Sequence, residues 1–499
     1  MTNSTDYFED MLSDYERSLL PYVETIPLLL KKCAKDFEDK VAFSDDRLTL
    51  TYEEMYENIG RRINLLDSMN IPSQGHVAVL CRNNVDAMCW FLAIPSSGRV
   101  VIMLSSMINV ETLEKLVDKF DVDALVAEEC FLPLTGNLSI PIISAAECGG
   151  EVSPMADVTK DTTAAIFLTG GTTGEAKGVL LSHGALMRGA KNGTYKPTGE
   201  VLFNRYILLL PLSHIFGTVA GFLSCIYTGS TIYGCNDVRS GLMMIPRVKP
   251  TLLVLVPGIV ELTLNLAKLK GEAFLEGLKC IVCGGAPVPP RLNKELKKFG
   301  IHLYPGYGMT EGANFTSANI NIDKKPHSMG RIYPGQEVKL VDKELWIRGD
   351  NIMKGYYKDT AATAQVLTKD GWYKTGDLVS FDDEGYITII GRTNNLIILP
   401  NGENVSPEEI EDAFNQSPLI QDCLVKEDTV GGQPMLSIEI LPLPEAAKSH
   451  SPVELESLIR EEAKKINNTL PSFKQVAKIS LRTEDFKRTA ALKIDRRDS

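Results

Sequence analysis

From Glu24 to Leu345 the chain alternates helix-period segments with short apolar runs, and this alternation restricts the fold more than any other feature. Tyr52 to Met69 reads as a helix, Val77 to Leu80 as a strand and Leu252 to Val256 as another. Val260 to Leu269 reads as a helix, followed by a strand over Lys279 to Cys283 and a helix over Pro290 to Phe299. Strands interleaved with helices in this way predict layered α/β structure. With 499 residues, a single core is too small for the chain, so more than one domain is expected. Beyond Gly330 the punctuation changes. Gly335, Gly349, Gly355 and Gly371 mark turns in a β-rich subdomain, with a hairpin expected around Asp382-Asp383-Glu384-Gly385.

After Arg392 a second unit is expected, over residues 393–499, joined by Gly391 to Asn395. It reads as a strand over Leu396 to Leu399, a turn at Asn401-Gly402 and a helix over Pro407 to Asn415. Strands near Cys423 to Lys426 and Met435 to Leu441 follow, then a helix over Val453 to Asn468. The expectation is a large N-terminal domain, 1–392, and a small α+β C-terminal domain.

A net charge of −12 disfavours nucleic acid as a general partner, since phosphate backbones require a basic face. The most apolar stretch, Tyr206 to Tyr233, is broken by Pro211, Ser213, His214 and several glycines, so no transmembrane segment is expected. Ten cysteines without paired spacing suit a reducing, cytoplasmic setting. Cys280 and Cys283 form a C-x-x-C, but Ile281 and Val282 between them place it in a buried strand, with no second ligand pair at zinc spacing.

The most chemically loaded segment is Ile166 to Val179. There Thr169, Gly170, Gly171, Thr172, Thr173 and Gly174 precede Lys177 between two apolar runs. Glycines let backbone N–H groups approach an anion, threonine hydroxyls add donors, and a lysine supplies a mobile positive charge. The flanking runs make the loop a hairpin tip, and a merely flexible hairpin with an incidental lysine is the alternative. Lys177 follows Ala176 and precedes Gly178, so the Gly-Lys-Ser/Thr signature of P-loop NTPases is absent.

Four further segments carry chemistry. Tyr307-Gly308-Met309-Thr310-Glu311 joins an aromatic to a hydroxyl and a carboxylate that suit Mg²⁺ and phosphate. Tyr373 to Leu378 holds Asp377, which could accept from a ribose diol. Gly391-Arg392-Thr393-Asn394-Asn395 is the third, and Arg488 to Arg496, with Lys493, the last.

In this order the five segments resemble the adenylate-forming superfamily of acyl-CoA synthetases, peptide-synthetase adenylation domains and luciferases, over nearly the whole chain. The resemblance implies ATP, Mg²⁺ and a carboxylic acid as ligands. By similarity, Thr169 to Lys177 form the phosphate loop, and Gly285, Ala286 and Pro287, following Gly284, lie along the adenine. Tyr307, followed by Gly308 and Met309, stacks on the base. Thr310 contacts the α-phosphate or the acid, and Glu311 binds Mg²⁺. Asp377 and Arg392 hold the ribose, Asn394 is the hinge, and Lys493 serves adenylation. Rotation of the small domain then opens a thiol tunnel in which Gly402 leaves room for a pantetheine arm.

The segment Leu210 to Gly217, with His214, resembles the substrate motif of acyl- and aryl-CoA synthetases and carries no aspartate for an α-ammonium. His214 is read either as a substrate contact or as a packed residue gating a channel. The implied reaction is activation of a fatty or aryl acid as its adenylate, then transfer to coenzyme A. An acyl carrier protein presents the same phosphopantetheine thiol, and a non-catalytic nucleotide-binding homologue is the reading from a different class. The sequence departs from the family pattern at Ala491-Leu492, where Asn-Gly is usual; leucine resists φ > 0, so the lysine loop is expected to be built differently or to be less mobile.

Overall fold

The computed structural model describes residues 4–170, 176–195, 201–398, 404–430 and 433–488, together with 494 and 496. Among these, two large sheets form the N-terminal body. The first has seven strands. Its parallel centre consists of Val100–Met103, His76–Leu80, Val122–Ala127 and Ile142–Ser144, with Thr163–Gly170 parallel to Val100–Met103. Antiparallel Ala176–Ser182 and then Gly355–Tyr356 close one edge. The second has nine strands, with Arg205–Ile207, Leu252–Leu255, Cys280–Cys283 and His302–Tyr307 parallel at its centre.

Helix Tyr52–Ser68 starts at a capping box, in which the Thr51 side chain accepts from the Glu54 backbone and the Glu54 side chain from that of Thr51. Its buried Met55, Ile59, Ile63 and Leu66 follow the helical period. Every residue of helix Val85–Ser96 is buried, and Phe91 packs edge-on against Phe222. One apolar cluster includes residues of both sheets and of these helices, and a smaller one covers the other face of the first sheet.

The apolar stretch read as broken is strand Arg205–Ile207 followed by a π-helix, Phe216–Leu223, and a short helix, Ser224–Tyr227. Widened turns of this kind are frequent at functional sites. Gly221 is required there, because a Cβ would stand 2.3 Å from the Tyr206 hydroxyl. Among the described residues no helix is long and apolar enough to cross a membrane.

The β-rich part is a four-stranded antiparallel sheet, Gln336–Val341, Glu344–Gly349, Tyr373–Phe381 and Ile387–Arg392. Gly385 takes φ +80° in the expected hairpin turn. Strand Ile397–Ile398 then pairs with Asn404–Val405. The smaller C-terminal domain has its own apolar core, built from helix Pro407–Phe414, strands Ile420–Val430 and Gln433–Pro442, helix Pro452–Asn467 and strand Lys478–Leu481. The mixed α/β class and the division into a large and a small part match the sequence reading. The helix read from Val260 begins instead at Pro257, because proline suits the first helical position.

Candidate active site

Of the sequence-identified residues, Gly171, Thr172, Thr173, Gly174, Gly402 and Lys493 lie outside the described residues. The flanks of the Gly/Thr segment are described. Thr169 pairs with Lys177 and Gly170 with Ala176 across an antiparallel hairpin. From that strand Lys177 extends its Nζ over the Tyr356 ring, 5.0 Å from the centroid. The Tyr356 hydroxyl donates to Glu311 Oε1 at 2.9 Å. Burial first, and then the Glu311 charge, push the Tyr356 phenol well above its ordinary range, so it acts as a donor. Tyr356 therefore links two segments that the sequence analysis singled out separately.

Glu311 stands on the single 3-10 turn Thr310–Gly312, and Thr310 is half-buried beside it. The Met309 carbonyl receives the N–H groups of Gly312 and Asn314 at 3.2 and 2.9 Å, which curls the chain into a loop. Ala313 and Asn314 take φ of +46° and +80°, conformations that residues with a Cβ adopt only when the surroundings enforce them. Gly308 is exposed, and a Cβ there would lie 1.3 Å from the Asn314 carbonyl oxygen. The loop is thus incompatible with any other residue at 308.

Tyr307, Asp377 and Arg392 meet directly. The Tyr307 hydroxyl donates to Asp377 Oδ2 at 2.5 Å, and Arg392 Nε donates to Oδ1 at 2.6 Å. Asp377 and Arg392 are opposite partners on adjacent strands, and Tyr307 ends a strand of the nine-stranded sheet. Burial and the Asp377 charge raise the Tyr307 phenol far above its usual range, while Asp377 holds the Arg392 guanidinium more firmly protonated.

Gly285 and Pro287 are exposed and Ala286 is half-buried, at the end of buried strand Cys280–Cys283. Gly285 has φ +78°. Cβ atoms built at Gly284 and Gly285 would lie 3.4 and 3.9 Å from the Phe216 ring, so this ring, at the start of the π-helix, packs along both glycines. His214 has a different setting. It lines a cleft of about 340 Å³ with Met103, Met107, Leu116, Leu168 and Ser213. Burial lowers its pKa, which favours the neutral imidazole at pH 7.

The sequence reading missed Tyr356 and gave Tyr373 no role. Tyr373 is buried, and the charges of Glu311, Asp377 and Arg392 all act on it. No local pattern marks Tyr356, whose position depends on pairing with Val179, far away in the chain.

A lysine, an arginine held on a buried carboxylate, a glycine-enforced loop and a second carboxylate with an oxygen open to a cation suit a polyanion beside a neutral ring. The AMP-binding enzyme profile matches residues 30–357, and that of the AMP-binding enzyme C-terminal domain matches residues 394–498. The chain belongs to the AMP-binding enzyme family. Within this family it is 27% identical over 434 residues to a 3-[(3aS,4S,7aS)-7a-methyl-1,5-dioxo-octahydro-1H-inden-4-yl]propanoyl:CoA ligase of Rhodococcus jostii, covering 78% of this chain and 83% of the relative. It is 26% identical over 443 residues to a 2-succinylbenzoate–CoA ligase of Bacillus cytotoxicus, covering 82% and 88%. The fold superposes on the o-succinylbenzoate CoA synthetase of Bacillus subtilis bound to its acyl-adenylate. The TM-score is 0.77 at 23% identity, over 93% of this chain and 96% of that one. ATP-bound MatB of Rhodopseudomonas palustris gives a TM-score of 0.79 at 21% identity, over 94% and 96%.

Proposed function

We propose that this AMP-binding enzyme activates a fatty or aryl carboxylic acid with ATP as an acyl-adenylate and transfers the acyl group to the thiol of coenzyme A. The observation that carries the reading is the convergence of Lys177, Glu311, Tyr307, Asp377 and Arg392 through two tyrosine–carboxylate pairs. A carboxylate attacking a phosphate is an anion approaching an anion, so cations and donors around the phosphorus serve catalysis more than a general base does.

In this reading Thr169 to Lys177 cradle the phosphates, and Gly285 to Pro287 line the adenine. Tyr307 to Met309 border the base, and Asp377 with Arg392 meets the ribose. Thr310 contacts the reacting groups, and His214 borders the acid. Lys493 bridges both reactants during adenylation, and Gly402 clears the thiol path after the small domain turns about residue 394. The domains are then 1–392 and 393–499. Glu311 suits Mg²⁺, because one of its oxygens is tied to Tyr356 and the group is only half-buried. When bound, that ion would offset charge on the leaving pyrophosphate. The CoA ligase relatives support coenzyme A as acceptor. Phe216 and Val256 beside Gly284 and Gly285 favour an uncharged acyl or aryl group.

The test is hydroxylamine trapping of adenylates across fatty, aryl and amino acids, repeated with coenzyme A and thioester detection. Turnover of a fatty or aryl acid to its CoA thioester is expected. Adenylate without CoA thioester would overturn the acceptor, and no adenylate with any acid would overturn the reaction.

A further inference from the structure

Thr310 and Glu311 ride on a loop that is curled by its own backbone and held from outside by two amide side chains. Ala313 donates to the Thr310 carbonyl at 3.1 Å, and Thr316 to that of Tyr307 at 3.0 Å. The outside holds are Asn351 and Gln336. Asn351 Nδ2 donates to the Gly312 carbonyl at 2.9 Å and to Gln336 Oε1 at 3.1 Å. Gln336 Nε2 in turn donates to the carbonyls of Phe315 and Thr316, at 3.2 Å each. Asn351 is fully buried and Gln336 half-buried. Gln336 opens strand Gln336–Val341 and pairs with Gly349, which ends strand Glu344–Gly349, so the register of this hairpin brings the two amides together. Just beyond Asn351, the Met353 N–H donates to the Glu311 carbonyl at 2.8 Å.

The residues beside both amides are fixed on the body. Arg188, from helix His183–Asn192, pairs with Asp350 at 3.6 Å, and its guanidinium lies over the Tyr22 ring, 3.9 Å from the centroid. A Cβ at Gly335 would stand 2.9 Å from Arg188 Nε, so the start of the hairpin packs against the same guanidinium. An amide carries donors and an acceptor on one short stem, so it can satisfy a carbonyl and orient a neighbouring amide at once. A buried carbonyl stripped of such a partner costs more than the bond itself contributes, and the loop would shift to find another.

We infer that Asn351 and Gln336 are positioning residues for the proposed reaction: an amide relay that fixes the loop from Thr310 to Thr316 on the β-rich sheet, so that Thr310 and Glu311 meet the reactants as one unit. The inference rests on the function proposed above. Its test uses the full chain. Asn351→Leu keeps the shape of the side chain and removes its donors, and Gln336→Met does the same at a half-buried position that tolerates the change.

The kcat of ATP–pyrophosphate exchange is expected to fall about tenfold in Asn351→Leu and about threefold in Gln336→Met, at saturating Mg²⁺ as well, because Thr310 shifts together with Glu311. KM for ATP should stay within about twofold, since the contacts among Tyr307, Asp377 and Arg392 are untouched. In the double variant the loss should be smaller than the product of the two, because both side chains act on one loop. Amide hydrogen exchange reads the loop independently of activity. Peptides covering residues 309–316 should exchange about tenfold faster in Asn351→Leu, while strand Leu252–Leu255 keeps its protection. Unchanged exchange in the loop, protection lost equally throughout the body, or losses that multiply in the double variant would overturn the relay. A wild-type chain that forms no adenylate with any acid overturns the functional reading, and exchange in the loop still decides the relay.

Discussion

Asp377 and Glu311 each accept a hydrogen bond from a tyrosine, but they differ in what they leave free. Asp377 is 6% exposed, and both of its oxygens are engaged, by Tyr307 and by Arg392. Glu311 is half-buried, and among the described residues only its Oε1 is bonded, to Tyr356. A buried carboxylate with a cation and a phenol on it is a fixed point that orients other groups. A carboxylate with one oxygen held and one open is aimed and can still take a cation. In the proposed reaction the two similar pairs would serve different ends: Asp377 would orient the Arg392 guanidinium on the ribose side, and Glu311 would keep an oxygen open for the cation that offsets the phosphates.

The largest expected effect therefore falls on the open pair. Glu311→Gln keeps the shape and the contact with Tyr356 but removes the charge, and is expected to lower pyrophosphate exchange about a hundredfold. A Mg²⁺ titration is the check. An unchanged Mg²⁺ requirement together with full activity would remove Glu311 from the metal role. Asp377→Asn should act less on turnover and more on ATP binding. It leaves Arg392 without its counter-charge and weakens the Tyr307 bond, a loss of about 2 kcal/mol before allowing for the solvent around the guanidinium. The expected outcome is KM for ATP raised about tenfold with kcat within about threefold, and a lower melting temperature. Equal loss of kcat in the two variants would erase the distinction between a fixed and an open carboxylate.

How much of this was legible in the sequence varies with the range of the interaction. Helix Tyr52–Ser68 and strands Leu252–Leu255 and Cys280–Cys283 carry their period or their apolar run locally, and the structure matches them within a residue or two. The hairpin flanking the Gly/Thr segment was legible for the same reason. The π-helix Phe216–Leu223 was not. It is apolar on all sides and holds two glycines, so no amphipathic period marks it. Candidate site residues inside a motif could be named because a hydroxyl, a carboxylate and a glycine at fixed spacing imply chemistry. Tyr356 was invisible because its partners are set by an edge strand that pairs across roughly half of the N-terminal body's length.

Tyr356 offers the finest way to sharpen the contrast, because it touches the open carboxylate without being proposed to touch any reactant. Tyr356→Phe keeps the ring under Lys177 and deletes only the hydroxyl that aims Glu311. A neutral donor on a half-exposed carboxylate contributes about 1 kcal/mol, which corresponds to roughly a fivefold effect. If the hydroxyl works by aiming a metal-binding oxygen, the loss should appear as about a fivefold higher Mg²⁺ concentration for half-maximal pyrophosphate exchange, with the rate at saturating Mg²⁺ nearly restored. If the hydroxyl is merely a packing contact, the melting temperature should fall while the Mg²⁺ midpoint stays in place. The phenol is held far above its ordinary range, so it remains a donor throughout the working pH range, and the Mg²⁺ shift should be the same at pH 7 and pH 9. A shift that vanished at pH 9 would mean that the phenol ionises there, and would place Tyr356 in a more solvated setting than its burial implies.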